Sequence, residues 1–109
     1  INYINKVASN ELTKDYLRLI NLPWSDRLRD RSFLETEGTY LTAKTALQTG
    51  LACHVGGGTH HAHYNHGFGL CVFTDLAYTA IQFIQDTHVQ NVLILVLDDN
   101  DEHGSLKAI

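Results

Sequence analysis

The sequence has 109 residues and a formal net charge of −4, and 44% of its residues are hydrophobic while 18% are charged. This composition is typical of one small globular domain with a modest core, and it excludes a disordered chain. The negative net charge argues against a basic face for binding nucleic acid. No apolar run approaches the roughly 20 residues that are needed to cross a bilayer, so we expect neither nucleic acid nor a membrane as a partner. Two cysteines, Cys53 and Cys71, are too few for a disulfide framework, which favours reduced thiols in the cytoplasm.

The first half of the chain carries the signals of three helices. We expect a short helix at Asn2–Ala8 and a second one over residues 11–20, with Asn10 as its N-cap. Ser25 is a favourable N-cap for a longer third helix, because its hydroxyl can accept a bond from an early backbone N–H. Gly50 is placed to end that helix, since glycine adopts the left-handed conformation that follows a last helical turn.

The second half alternates between extended and helical segments. Residues 51–55 are short and apolar and predict a strand, and residues 56–69 predict a loop. A helix is expected over Asp75–Asp86 with Asp75 as its N-cap. Residues 92–97 form a continuous branched apolar run, which is typical of a strand buried on both faces. The pattern predicts one right-handed parallel crossover unit, so the expected fold class is α/β, rich in helix, with a small parallel sheet.

The most distinctive motif is a pair of adjacent histidines directly after a glycine cluster. Residues 56–62 are Gly-Gly-Gly-Thr-His-His-Ala, and residues 69–75 are Gly-Leu-Cys-Val-Phe-Thr-Asp. Glycines permit a tight turn and a close backbone approach to a ligand, and the imidazoles titrate near neutral pH. Together these stretches resemble the active-site loop of the zinc-dependent histone deacetylases and their bacterial deacetylase-like relatives, and the resemblance extends roughly from Trp24 to Ile94.

The resemblance implies a fold and a domain organisation. Members of this family have the arginase/deacetylase three-layer α/β fold, of which this chain would be an excerpt. We therefore expect a single partial domain over residues 1–109, helical in residues 1–50 and forming a strand–loop–helix–strand unit in residues 51–109. Ligands bind beyond the carboxyl ends of strands in open α/β sheets, so the residues that follow the two expected strands should lie close together.

Catalytic and substrate-binding roles are also implied by the resemblance. His60 matches the family's general acid or electrostatic element, and His61 matches the general base that acts on a zinc-bound water. Zinc is the implied cofactor, because it lowers the pKa of its bound water and polarises the amide carbonyl of an acetyl-lysine-like ligand. Gly69 and Leu70 match the substrate-binding positions, although the family usually has a phenylalanine, which forms one wall of the acetyl-lysine channel, where this chain has Leu70.

Two alignments of the zinc ligands are open after the second expected strand. Without a gap, Asp98 occupies the position of the ligand aspartate, and Asn100 occupies that of the ligand histidine. With three inserted residues, Asp99 occupies the supporting position, and Asp101 and His103 become the ligands. The gap-free alignment is favoured, because three extra strand residues advance the chain by about 10 Å and reverse the direction of the side chains.

Three other histidines are given structural interpretations. His54 lies in the first expected strand and is interpreted as a hydrogen-bonded packing residue. His63 and His66 fall where the family has a variable segment at the rim of the substrate tunnel, and we expect a surface loop there.

Catalysis by this chain alone is not expected. The resemblance places another zinc aspartate and a transition-state tyrosine beyond the residues present here, and a catalytic zinc requires three protein ligands and an open position. The sequence offers two at best, so we expect a truncated deacetylase-like protein that is inactive by itself. The exposed edges of a two-stranded sheet also predict a homo-oligomer.

Two alternative functions stay open at this point. The chain could be a deacetylase piece that is active only with a separately supplied missing half. It could also be a module in which the histidine-rich loop binds a metal or a small acyl ligand.

Overall fold

The computed structural model of the protein describes residues 2–97, and four helices account for its regular structure. They are α1 (Asn2–Ala8), α2 (Lys14–Ile20), α3 (Asp26–Thr49) and α4 (Asp75–Asp86). A helix was expected from the sequence in each of these four places. None of the helices in this range combines the length and the apolar content that crossing a lipid bilayer demands.

The start of α2 differs from the prediction, because Asn10 does not cap this helix. Asn10 has a left-handed backbone with φ of 59°, and Thr13 is the N-cap residue. The Asn10 side chain donates to Asp26 Oδ1 at 2.7 Å and accepts from Trp24 Nε1 at 3.2 Å. Asn10 therefore connects the turn between α1 and α2 to the start of α3. The local sequence around Asn10 could not predict this contact, because its partners are 14 and 16 residues away.

Both expected ends of α3 are confirmed. The Ser25 hydroxyl accepts a hydrogen bond of 3.1 Å from Leu28 N, which satisfies one of the free donors in the first turn. Gly50 follows the last turn with φ of 90°, and its N–H donates to Ala46 O at 2.7 Å. Local chemistry alone therefore sets the bounds of this 24-residue helix.

Replacing Ser25 by alanine should lower the free energy of unfolding by about 1 kcal/mol, because the Leu28 N–H loses its partner. Thr13→Ala is the matched control, since the Thr13 side chain makes no cap hydrogen bond at the start of α2. Urea unfolding of both variants measures the difference. Equal losses in the two variants would show that the Ser25 hydroxyl contributes nothing as a cap.

Hydroxyl side chains along α3 bond to the helix itself. Each donates to the backbone carbonyl four residues earlier at 2.7–2.9 Å; the residues are Ser32, Thr36, Thr42, Thr45 and Thr49. Such bonds satisfy the hydroxyl without a partner from another element. The same helix leaves four large apolar side chains exposed, and the two most exposed are Leu34 and Leu41.

The hydrophobic core joins the N-terminal helices to the segment before α4. Tyr3, Val7, Ile20 and Val72 are buried there, and the Tyr3 hydroxyl donates to Val72 O at 2.9 Å. Burial raises the pKa of the Tyr3 hydroxyl well above its usual value, so the group remains a neutral donor. This core holds the segment before α4 against α1 and α2.

The expected parallel sheet is wrong for the described part of the chain. Residues 51–55 and 92–97 have no regular secondary structure, and an isolated antiparallel bridge between Phe68 and Cys71 is the one β-pairing within residues 2–97. A strand exists only when a neighbouring backbone completes its hydrogen bonds. Neither segment has such a neighbour among the described residues, so the apolar pattern alone could not produce the sheet.

Candidate active-site loop

The histidine motif begins where the chain passes closely over α3. A Cβ atom at Gly57 would collide with Thr39 Oγ1 and would lie 2.6 Å from His54 Nδ1 and 2.9 Å from Asp75 Oδ2. The next residue, Gly58, has φ of 98°, which L-residues with a side chain rarely adopt. The glycine cluster therefore serves a close backbone approach and a left-handed turn, as its sequence suggested.

Asp75 is fully buried next to this loop and is hydrogen-bonded to it. Its Oδ2 atom accepts from Gly58 N at 2.8 Å and from the Thr39 hydroxyl at 2.5 Å, and its backbone N–H donates to Thr59 Oγ1 at 3.1 Å. Thr74 is the N-cap residue of α4, so the expected N-cap role of Asp75 is wrong. Asp75 lies one residue inside the helix, and its carboxylate is turned back toward the loop donors instead of the helix end.

The two histidine rings lie side by side. Their centroids are 4.2 Å apart with an interplanar angle of 45°. His60 Nδ1 lies 2.8 Å from Gly58 O, and because a carbonyl can only accept, this nitrogen carries the hydrogen. His61 Nδ1 is buried and has no hydrogen-bond partner within residues 2–97. The structure thus brings together the two residues that the motif singled out.

A tight hairpin over residues 68–71 supports the pair from the other side. Phe68 and Cys71 exchange two backbone hydrogen bonds of 2.9 Å, and both central residues, Gly69 and Leu70, have positive φ, of 53° and 67°. The N–H groups of Gly69 and Leu70 donate to the last carbonyls of α2, at 3.1 and 2.9 Å. A Cβ atom at Gly69 would lie only 3.1 Å from His61 Cβ, so glycine permits the close contact.

Leu70 occupies an unfavourable backbone conformation and an exposed position. Together with Thr59 and Val72 it lines a small cavity of about 110 Å³. The expected role of Leu70 as a wall of a substrate channel is an interpretation that the described residues do not test. Its backbone does have a clear consequence for stability, because a left-handed conformation is costly for leucine.

Leu70→Gly should raise the free energy of unfolding by about 1 kcal/mol relative to Leu70→Ala. Both variants remove the exposed leucine side chain, but only glycine removes the steric cost of the positive φ. Chemical denaturation of the two proteins measures the difference. If alanine proves as stable as glycine at this position, the positive φ carries no cost.

Thr39 and His54 complete the support of the loop. Thr39 Oγ1 lies 2.9 Å from His54 Nδ1, and a Cβ atom at Gly38 would lie 2.7 Å from the His54 ring. The interpretation of His54 as a hydrogen-bonded packing residue is confirmed by this contact. Thr39 was not identified from the sequence, because a threonine within a helix has no local signature of a contact with residue 75.

His63 and His66 are half-buried and flank the exposed end of the loop. Their rings stack with centroids 4.5 Å apart, and the His63 N–H donates to His66 O at 2.9 Å. With the exposed Tyr64, His63 borders a groove of about 420 Å³ whose other walls come from α1, α3 and α4. The exposed Tyr64 between the two histidines agrees with the surface loop expected from the sequence.

The candidate zinc ligands Asp98, Asp101 and His103 lie outside the described residues. Within residues 2–97, no group of three or more His, Cys, Asp or Glu side chains is arranged to hold a metal ion. The donors in this range therefore do not fit a catalytic zinc by themselves, since such a site requires three protein ligands. The prediction that the histidine pair lies close to Asp98 likewise falls outside the described part.

Comparison with known proteins gives this loop its context. The model of the histone deacetylase domain matches residues 1–104. The chain belongs to the histone deacetylase family. The family resemblance seen in the histidine motif is therefore confirmed over nearly the whole length of the sequence.

Individual family members are similar to this chain over different lengths. An uncharacterized protein of Picosynechococcus is 38% identical over 104 residues, which cover 95% of this chain and 35% of that protein. The acetoin utilization protein AcuC of Staphylococcus aureus is 39% identical over 70 residues, and histone deacetylase 2 of Arabidopsis thaliana is 34% identical over 67 residues. Each of these two matches covers 62% of this chain and 17% of the relative. The chain thus spans about a third or less of the length of these family members.

Proposed function

We propose that this chain is the histidine-bearing part of a deacetylase-like amide hydrolase and that by itself it does not hydrolyse acetyl-lysine. The paired rings of His60 and His61 carry this proposal, because they are held 4.2 Å apart on a loop that is hydrogen-bonded to α4 and α2. Membership of the histone deacetylase family supports the same reaction class. The substrate implied by that class is an acylated amine.

The two imidazoles suit the proton transfers that amide hydrolysis requires. One group must accept a proton from the attacking water, and one must return a proton to the departing amine. In its neutral form His60 carries its hydrogen on Nδ1, where Gly58 O accepts it, so Nε2 is the basic nitrogen of this ring. His61 lies against Gly69, and the absence of a side chain at Gly69 makes room for the His61 side chain. This pair therefore supplies acid–base groups.

Inactivity of the chain alone is supported by what its described residues provide. Deacetylases of this family are generally zinc-dependent, and residues 2–97 offer no three-donor group for a metal ion. The chain matches only 35% of the length of its Picosynechococcus relative. Side chains from outside the described range would have to complete any metal site.

The activity proposal is tested with the purified chain and an acetyl-lysine peptide, with and without added zinc. We expect no rate above background for the parent, and the same result for His61→Ala. A zinc-dependent rate in the parent that His61→Ala abolishes would contradict the proposed inactivity.

The intact loop favours a second candidate, a half-enzyme that becomes active with its missing part. Mixing the chain with the region of the Picosynechococcus relative outside the match would test this candidate. A rate that appears only in the mixture, and that His61→Ala removes, would establish it. A mixture that binds but stays inactive would reject it.

We further propose that the chain self-associates through residues 92–97. Leu93, Leu95 and Leu97 are 91%, 74% and 90% exposed, whereas Val92 and Val96 are 40% and 42% exposed. This alternation leaves one apolar side of the segment facing solvent, and its backbone pairs with no strand within the described chain. Such an edge favours pairing with a second extended segment.

Sedimentation equilibrium at low micromolar concentration tests the association. We expect a dimer or larger oligomer for the parent and a shift toward monomer for Leu95→Lys, because a charge on an extended edge opposes pairing. Leu34→Lys is the matched control, since Leu34 is also largely exposed but lies on α3. A monomeric parent, or equal effects of both lysines, would reject residues 92–97 as the interface.

A further inference from the structure

We propose that Asp75 and Thr39 are positioning residues for the histidine pair, acting through the backbone of residues 57–59. The inference rests on the proposed function only for the role of His60 and His61. Its structural basis is a buried carboxylate that bonds to the loop, not to the end of the helix that carries it. Asp75 is 17 positions from Gly58 and 36 positions from Thr39, so neither contact follows from local structure.

The loop is fixed at successive positions just before His60. Gly58 N donates to Asp75 Oδ2 at 2.8 Å, and Thr59 Oγ1 accepts from the Asp75 backbone N–H at 3.1 Å. The Thr74 hydroxyl adds a bond of 3.3 Å to Thr59 O. The start of α4 therefore holds the backbone that leads directly into His60, and small changes there would turn both imidazole rings.

Thr39 extends the support from α4 to α3. Its hydroxyl donates to Asp75 Oδ2 at 2.5 Å, so its oxygen lone pairs face the other neighbour, His54 Nδ1, at 2.9 Å. A hydroxyl that has given its hydrogen away can only accept from that nitrogen. The direction of bonding is thus His54 to Thr39 to Asp75, and it assigns the Nδ1–H tautomer to His54.

The burial of Asp75 argues for a positioning role beyond simple packing. A carboxylate without contact to solvent is costly, and Asp75 Oδ1 has no hydrogen-bond partner in the part of the chain that the structure describes. An apolar side chain would fill the same space at lower cost. The hydrogen bonds of this carboxylate to Gly58 N and Thr39 offset that cost, and they hold the Gly57 backbone against α3.

Nuclear magnetic resonance of the 109-residue chain tests the proposal without requiring turnover. Imidazole ¹⁵N shifts report the tautomers of His54, His60 and His61, and hydrogen exchange reports the Gly58 amide. Thr39→Val keeps the shape of the side chain but removes its hydroxyl. We expect His54 to lose its Nδ1–H preference, the His60 and His61 shifts to change, and Gly58 exchange to rise by about tenfold or more.

Asp75→Ala should produce the same changes more strongly, while Asp75→Asn should rescue most of them. The amide oxygen of asparagine can still accept from Gly58 N and Thr39. Thr42→Val is the matched control, because the Thr42 hydroxyl bonds to Gly38 O within its own helix. If Asp75→Ala does not fold, Thr39→Val and Asp75→Asn carry the test.

The proposal is overturned if Thr39→Val leaves the His60 and His61 shifts and the Gly58 exchange at the values of Thr42→Val. It is also overturned if Thr42→Val changes the ring shifts and the Gly58 exchange as much as Thr39→Val does, since loss of any threonine hydroxyl from α3 would then have the same effect. Failure of the proposed function is a separate result, because it would show as a zinc-dependent hydrolysis by the isolated chain that His61→Ala abolishes. That outcome does not alter the ring spectra on which the positioning proposal depends.

Discussion

Gly57→Ala is expected to lower the free energy of unfolding by about 2–3 kcal/mol, through steric conflict in a packed polar cluster. The added methyl group would meet Thr39, His54 and Asp75 at once. These side chains are short or ring-shaped and bond to one another, so none can move aside without breaking a hydrogen bond. The variant should also disturb the His60 and His61 ring signals, because the loop must rise from α3.

Gly56→Ala provides the control for this prediction. A Cβ atom at Gly56 would have its nearest neighbours, Glu35 Oε1 and His54 Nε2, at 3.5 Å, which is ordinary van der Waals contact. Urea unfolding of both variants should therefore show a clear loss for Gly57→Ala and a small change for Gly56→Ala. Similar losses in the two proteins would mean that the glycine cluster is needed for flexibility in general, not for the close approach at residue 57.

Ile20→Ala should lower the free energy of unfolding by about 3–4 kcal/mol, because it leaves a cavity in the centre of the core. Ile20 is fully buried there with Tyr3, Val7 and Val72. Its carbonyl also accepts a hydrogen bond from the Leu70 N–H, so loosening this end of α2 would release the hairpin that contacts His61. For a domain of this size we expect the melting temperature to fall by roughly 15 °C or more.

Leu19→Ala controls for the loss of a large aliphatic side chain at the same end of α2. Leu19 is 40% exposed, so its truncation should cost roughly 1 kcal/mol or less. Calorimetric or circular-dichroism melting curves distinguish the two variants. If they melt together, the core around Ile20 contributes far less than its burial implies.

The helices were predictable wherever the signal was local. Ser25 and Gly50 bound α3 because a hydroxyl cap and a left-handed glycine act within one turn. The start of α2 was predicted too early, because the Asn10 side chain bonds across to Asp26 and Trp24. The prediction of a sheet was wrong because it rested on the strand-like composition of residues 92–97. A strand also requires a neighbouring backbone that completes its hydrogen bonds.

The candidate site was predictable only in part, for the same physical reason. His60, His61 and Gly69 could be identified because the motif is contiguous and specific, and the structure brings all three together. Thr39 could not be identified, since its bond to Asp75 joins residues 36 positions apart. Asp75 itself was noticed but given the wrong partner, because the position before a helix suggests capping more readily than contact with a distant loop.

The internal hydrogen bonds of the threonine hydroxyls in α3 affect how easily this helix can be buried. Thr42, Thr45 and Thr49 already donate to carbonyls of their own helix, so moving them out of water breaks no hydrogen bond to solvent from the donor side. The exposed Leu34 and Leu41 gain from the same transfer. Another protein layer could therefore cover this part of α3 without leaving these hydroxyl hydrogens unpaired.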